Sequence, residues 1–234
     1  MLKVKGISVR YDIIPVLEDV SFSVKQGQFM AIVGANSAGK STILRTVSGL
    51  VHPFQGSIEF LNEPIQDAAP FDIAAKGISH VPEGRRIFGK LTIRENLLVG
   101  AHTRSDTTEV AQTVEEMFEL FPILKKRENK KGETLSGGEL QQLAIARGLM
   151  AKPKLLMLDE PSLGLSPILS NKVINICEKI RQTGTTILMV EQKVTEVLKL
   201  VDRGYVLQRG KIIMDGKGEE LLKSDMIRKA YLGL

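Results

Sequence analysis

The chain has 234 residues, 43% hydrophobic and 25% charged, with a net charge of +5. That length allows one large domain or a core carrying an inserted subdomain, and that composition excludes a disordered chain. The modest positive charge suits an anionic ligand, an anionic membrane surface or nucleic acid, and selects none of them.

The N-terminal stretch MLKVKGISVRY scatters Lys3, Lys5 and Arg10 among its apolar residues and holds no signal-peptide core. No uncharged apolar run approaches the ~18 residues of a membrane span, so a soluble chain is expected. Leu2–Val9 and Val20–Val24 alternate apolar and polar residues and read as antiparallel strands with one wet face. FMAIVG, Phe29–Gly34, is continuously apolar, as in a strand covered on both faces. A helix is expected from Lys40 to about Gly49. Strands follow at Gln55–Asn62, ending before Pro64, and at Gly77–Pro82.

From about Leu91 to Met150 helical periodicity dominates. Thr92–Ala101, Thr108–Phe121 and Gly137–Met150 are the expected helices, with Val114, Met117, Phe118 and Phe121 on one face. The basic run KKRENKK, Lys125–Lys131, has no interleaved aromatic for base stacking and reads as a solvated loop. Strands return at Leu155–Glu160 and Thr185–Val190, around an amphipathic helix from Pro167 to Gln182 that Gly184 ends. Cys177, the only cysteine, shares a helical face with Val173 and Ile180 and reads as a packed thiol. A hairpin, GYVLQRG-KIIMDG, and one or two short helices close the chain. The pattern is an α/β core interrupted by a helical insert.

GANSAGKS, Gly34–Ser41, fits the phosphate-loop pattern G-x-x-x-x-G-K-[ST] between a buried strand and a helix. Such a loop aims backbone N–H groups at phosphate oxygens. Gly34 and Gly39 allow the tight path, Lys40 supplies a cation for the β- and γ-phosphates, and the Ser41 hydroxyl is a Mg²⁺ ligand. Ser37 stands where glycine is common. LLMLDE ends a buried strand in Asp159 and Glu160, at the carboxyl end where open α/β sheets bind ligands. Asp159 would hold Mg²⁺ through its water shell, and Glu160 would orient and deprotonate the attacking water.

LSGGE, Leu135–Glu139, opens a helix with Ser136 as N-cap and is followed by Pro153, LLMLDEP and SLGL. This ordered set resembles the ATP-binding cassette family over essentially the whole chain. The resemblance implies an α/β P-loop NTPase cassette: a RecA-like core, an N-terminal antiparallel β subdomain and an inserted helical subdomain. Residues 1–82 and 152–234 would form the two parts of the nucleotide-binding core, and residues 83–151 the helical part. It implies ATP and Mg²⁺ as cofactors. Gly34, Ala35, Asn36, Ser37, Ala38, Gly39, Lys40, Ser41 and Thr42 would hold ATP, with Tyr11 and Val16 against the adenine. Two cassettes would meet head to tail. Leu135, Ser136, Gly137, Gly138 and Glu139 would then serve the partner's ATP, and Ser162–Leu165 would lie between the sites.

Two positions depart from the general pattern. VPEGRRIF has Glu83 at the Q-loop position, and VEQ has Gln192 where a switch histidine is usual. Both departures, the DEPSLGL stretch and the tail KAYLGL, Lys229–Leu234, resemble the LivF-type ATPase subunits of branched-chain amino acid importers. That resemblance implies as partners a second cassette, two membrane permease subunits and an external binding protein, with no nucleic acid. It places the chain peripherally on the cytoplasmic face of the cell membrane. Urea or short-chain amide cargo stays open, as does a simpler role for Gln192 as cap of the following helix. A cassette protein of translation or DNA repair would carry two cassettes or a long coiled coil, and this chain has neither.

Overall fold

The computed structural model describes residues 1–229. Beyond Lys229, the KAYLGL tail lies outside the described residues. The elements run β1 (Leu2–Tyr11), β2 (Ile14–Val24), β3 (Phe29–Val33), α1 (Lys40–Val47), β4 (Gln55–Phe60), β5 (Glu63–Pro64), α2 (Pro70–Ala75) and β6 (Ile78–Val81). The helical stretch holds α3 (Ile93–Gly100), α4 (Thr107–Leu120), α5 (Pro122–Lys125) and α6 (Gly137–Leu149). Then come β7 (Leu155–Asp159), α7 (Pro167–Gln182), β8 (Thr186–Glu191), α8 (Val194–Leu198), β9 (Arg203–Gln208), β10 (Lys211–Gly216), α9 (Gly218–Leu222) and α10 (Asp225–Ile227).

Two sheets form. The antiparallel sheet has the order β2-β1-β4-β5, and the second has the order β10-β9-β3-β8-β7-β6. In the second sheet β9, β3, β8, β7 and β6 pair in parallel, and only the β9–β10 hairpin is antiparallel. β3 is fully buried, as its apolar run predicts. The alternation of strand side chains explains the two cores. Phe29, Ala31, Val33, Leu156, Leu158, Ile187 and Met189 join the helical stretch and α7 on one face. Met30, Ile32, Leu155, Met157, Leu188 and Val190 face α1 and the antiparallel sheet on the other. Each buried aliphatic side chain contributes roughly 1.5–3 kcal/mol, so the central strands anchor both layers.

Some boundaries differ from expectation. β2 begins at Ile14, pairing Tyr11 with Ile14 across a tight turn. Pro64 lies within the two-residue strand β5, at the end of the sheet, where its missing N–H is tolerated. Two of the five basic residues in the run are paired with acids elsewhere, Lys125 with Glu115 at 2.7 Å and Arg127 with Glu139 at 3.0 Å, while Lys126, Lys130 and Lys131 are exposed. Cys177 is buried between Val173 and Ile180 in the helical-side core, and burial holds its thiol well above the ordinary range.

Candidate nucleotide site

The loop Gly34–Gly39 joins β3 to α1, at the carboxyl ends of the parallel strands. Gly34 and Gly39 are required by close approach. A Cβ on Gly34 would stand 2.3 Å from the Leu207 carbonyl oxygen, and one on Gly39 would stand 2.7 Å from Leu17 Cδ2 and 3.2 Å from the Val16 oxygen. Gly39 also has φ +107, open to glycine alone. Ser37 takes φ +62, which explains why glycine is usual there. Val16 therefore borders the loop by its backbone. Tyr11 is 39% exposed at the end of β1. Ala35, Asn36 and Ser37 are exposed, while Ala38, Lys40 and Thr42 are buried.

The loop and the end of β7 close on each other. Ser41 Oγ donates to Asp159 Oδ1 at 2.9 Å. Lys40 Nζ donates to the Gly34 and Ala35 carbonyls at 3.0 and 2.9 Å and pairs with Glu160 Oε1 at 2.9 Å, with both side chains buried. Glu160 sits at φ +44, a conformation that costs a non-glycine residue on the order of 1–3 kcal/mol, held by its N–H bond to the Val190 carbonyl. Burial raises the Asp159 carboxyl above the ordinary range; the Ser41 hydrogen bond and Arg45 oppose this, while the charges of Glu160 and Glu83 reinforce it. Glu83 thus faces the same locus from the loop after β6.

That loop is unusual. Gly84, Arg85 and Arg86 follow one another at φ +79, +67 and +41. A Cβ on Gly137 would lie 3.4 Å from both terminal nitrogens of Arg85, so the arginine rests on the LSGGE helix of its own chain. A cleft of about 770 Å³ opens beside it between α2, β6, α3 and α6, reaching Glu83 and Asp159. Exposed Leu50, Phe71 and Phe88 stand near it in the fold.

Ser136 is the N-cap of α6, and its N–H donates to the Glu139 carboxylate at 2.7 Å. Leu135 and Gly138 are buried, while Ser136 is exposed. Gln192 is exposed on the turn between β8 and α8. It does not cap the following helix: the N-cap is Lys193, and no side chain caps that end. The residue the sequence reading passed over is Glu191, one position earlier. It is 1% exposed, and its carboxylate accepts from the Ser162, Gln192 and Lys193 amides at 2.9, 3.0 and 3.5 Å. An acid at a strand end is ordinarily a surface residue, and only the adjacent strand pairing marks this one.

A phosphate loop closed by a Ser–Asp and a Lys–Glu pair at the carboxyl end of a parallel sheet defines a P-loop NTPase site. The chain belongs to the ABC transporter family, whose model matches residues 17–163. It is similar to the high-affinity branched-chain amino acid transport ATP-binding protein BraG of Pseudomonas aeruginosa, 45% identical over 100% of both chains. It is similar, at 34% identity over all of this chain, to LivF of Archaeoglobus fulgidus, covering 99% of it, and to the lipopolysaccharide export ATP-binding protein LptB of Haemophilus influenzae, covering 97%. Among solved structures, a nucleotide-free ATP-binding cassette from an ABC transporter matches with TM-score 0.87 at 26% identity, covering 100% of this chain and 99% of that one. The ADP conformation of MJ1267, another such cassette, matches with TM-score 0.85 at 27% identity, with the same coverage. The expected cassette fold is thereby borne out, and the chain is an ATP-hydrolysing subunit of an ABC transporter. Among the described residues, no helix is long and apolar enough to cross a membrane.

Proposed function

We propose that this chain drives a branched-chain amino acid importer by binding and hydrolysing ATP at the loop Gly34–Thr42. The observation that carries the site is the convergence of two pairs, Ser41 with Asp159 and Lys40 with Glu160, each at 2.9 Å. The cargo reading rests on the 45% identity to BraG, well above the 34% to LptB.

The residues fit Mg²⁺: a hydroxyl and a carboxylate form a hard oxygen pair, and the remaining positions suit phosphate oxygens and water. When bound, the ion would offset negative charge on the β- and γ-phosphates. Lys40 exchanges its loop carbonyls and Glu160 for phosphate oxygens, its three donors matching several acceptors. Released from that pair, Glu160 orients the attacking water and takes its proton as the water oxygen bonds to the γ-phosphorus and the bond to the β-phosphate oxygen breaks. Loop and helix N–H groups hold the phosphates. Tyr11 stacks on the adenine, with Val16 beside it.

A complete site takes two chains, with Leu135–Glu139 of each closing on the other's γ-phosphate. The partner is a second, different cassette. The cleft beside Glu83, with exposed Phe71 and Phe88 in its neighbourhood, receives one of two permease subunits, and an external binding protein delivers the cargo. The chain works at the cytoplasmic face of the membrane.

The test is Glu160→Gln in the assembled transporter. ATP binding is expected to persist while turnover falls by about 10²–10⁴-fold, the span of a general base. Turnover within a few-fold of wild type rejects the role. Uptake of leucine, urea and short amides by the reconstituted complex assigns the cargo.

A further inference from the structure

We infer that Glu191 is a positioning residue that locks the Ser162–Leu165 loop to the Gln192 turn, so that the two ATP sites of a cassette pair fire together. The inference rests on the two-chain reading above, in which Ser162–Leu165 lies between the sites and Gln192 stands at the switch position.

Glu191 is the last residue of β8, paired with Val33 at the start of the phosphate loop. Its carbonyl accepts the Gly34 N–H at 3.3 Å, while the preceding carbonyl, of Val190, accepts the Glu160 N–H at 3.0 Å. The strand end thus holds both halves of the hydrolytic site by backbone bonds. Its side chain turns the other way. Oε1 takes the Ser162 amide at 2.9 Å, and Oε2 takes the amides of Gln192 at 3.0 Å and Lys193 at 3.5 Å. A second connection closes the loop. Lys193 Nζ donates to Ser170 Oγ at 2.6 Å, and Ser170 Oγ donates to the Ser162 carbonyl at 3.4 Å. Ser162 is therefore held at both its N–H and its carbonyl by groups that lead back to residues 191–193.

The chemistry requires a carboxylate. Every hydrogen-bond partner of the two oxygens among the described residues is an N–H donor, and a carboxylate offers an acceptor oxygen on both sides. Glutamine keeps the size but turns an NH₂ group toward a donor, breaking one connection whichever way the amide lies. No cation lies within ion-pair distance of Glu191 among the described residues, so the three amides are its stabilising partners. A buried acid with no other hydrogen-bond partner among the described residues, joining the Ser162 loop to the Gln192–Lys193 turn, serves to fix their relative positions.

The experiment compares Glu191→Gln with wild type in the assembled transporter. kcat for ATP is expected to fall about tenfold or more with KM within about twofold, the mark of lost transition-state alignment. The Hill coefficient should fall toward one. Hydrogen exchange, which needs no turnover, should show faster exchange at the Ser162 and Gln192 amides than at amides of β3. A folded variant with wild-type kcat and unchanged exchange overturns the inference. If Glu191→Gln does not fold, Lys193→Met with Ser170→Ala removes the second connection, from half-buried Lys193 to buried Ser170. A lower kcat with unchanged melting temperature then supports the lock, and an unchanged kcat overturns it. Failure of the hydrolytic reading itself is separate, since it appears as an inactive wild type or an unaffected Glu160→Gln.

Discussion

At the scale of single residues, the nucleotide loop was legible because its chemistry forces residue types at fixed spacing. Gly34 and Gly39 stand where a Cβ would collide with backbone or a packed leucine, and the loop and the end of β7 meet through Ser41–Asp159 and Lys40–Glu160. Ser37 is the exception that tests the account. Its φ of +62 is unfavourable for any side chain, and it is exposed, with no side-chain hydrogen bond among the described residues. Ser37→Gly should therefore stabilise the fold, by up to about 1 kcal/mol once the greater unfolded-state freedom of glycine is deducted. Urea denaturation measures it, and a destabilised variant would show that the serine makes a contact outweighing its strain. Glu191 was not legible for the opposite reason. Its role depends on Ser162 and Lys193 arriving beside it through folding, and no local pattern records that.

At the scale of elements, the long ones were readable, and of the short ones the strand β6 was readable while α2 and α5 were not. β3, β7 and β8 announce themselves as apolar runs, and α4 and α7 as periodic faces. α2 and α5 have six and four residues, too few for a helical period, and each starts at a proline that reads equally well as a turn. β6 shows what an element can hide. It carries His80, whose Nδ1 meets Ser48 Oγ at 3.3 Å while Nε2 is buried without a partner. Burial, with lesser contributions from Arg45 and Arg86, pushes the imidazole down to about 4. The folded form is then neutral where the unfolded chain, near 6.5, already binds a proton. Stability should rise with pH between about 4 and 6.5 and be lost as pH falls through that window, with this residue adding up to about 1.4 kcal/mol per pH unit. Above 6.5 it adds no slope. Denaturation of wild type and His80→Gln at pH 7.5, 6.5 and 5.5 checks this, and equal slopes for the two proteins would reject it.

At the scale of the whole molecule, one chain holds, in the two-chain reading proposed above, halves of two different ATP sites, and the halves are not equal. The half built on its own phosphate loop has Glu83 and Gln192, where a cassette more often has a glutamine and a histidine. Glu83 adds negative charge beside Asp159 and any phosphate bound there. Gln192 is exposed on its turn; an amide that bonds phosphate gives about half the strength of a charge-assisted bond and cannot exchange a proton near pH 7. The other half, Ser136–Glu139 at the start of α6, keeps every residue of its motif, with Glu139 held by the Ser136 amide and Arg127. The site this chain completes for its partner should then turn over faster than the site it owns. In the assembled complex at saturating ATP, Gln192→Ala should lower turnover by less than about tenfold, or ~1.4 kcal/mol. Ser136→Ala should cost more. Because Ser136 is also an N-cap, its loss can destabilise the helix by about 0.5–2 kcal/mol, so turnover is compared only below the melting point of both variants. If Gln192→Ala proves the more damaging substitution under those conditions, the chain's own site does the greater share of hydrolysis and the asymmetry runs the other way.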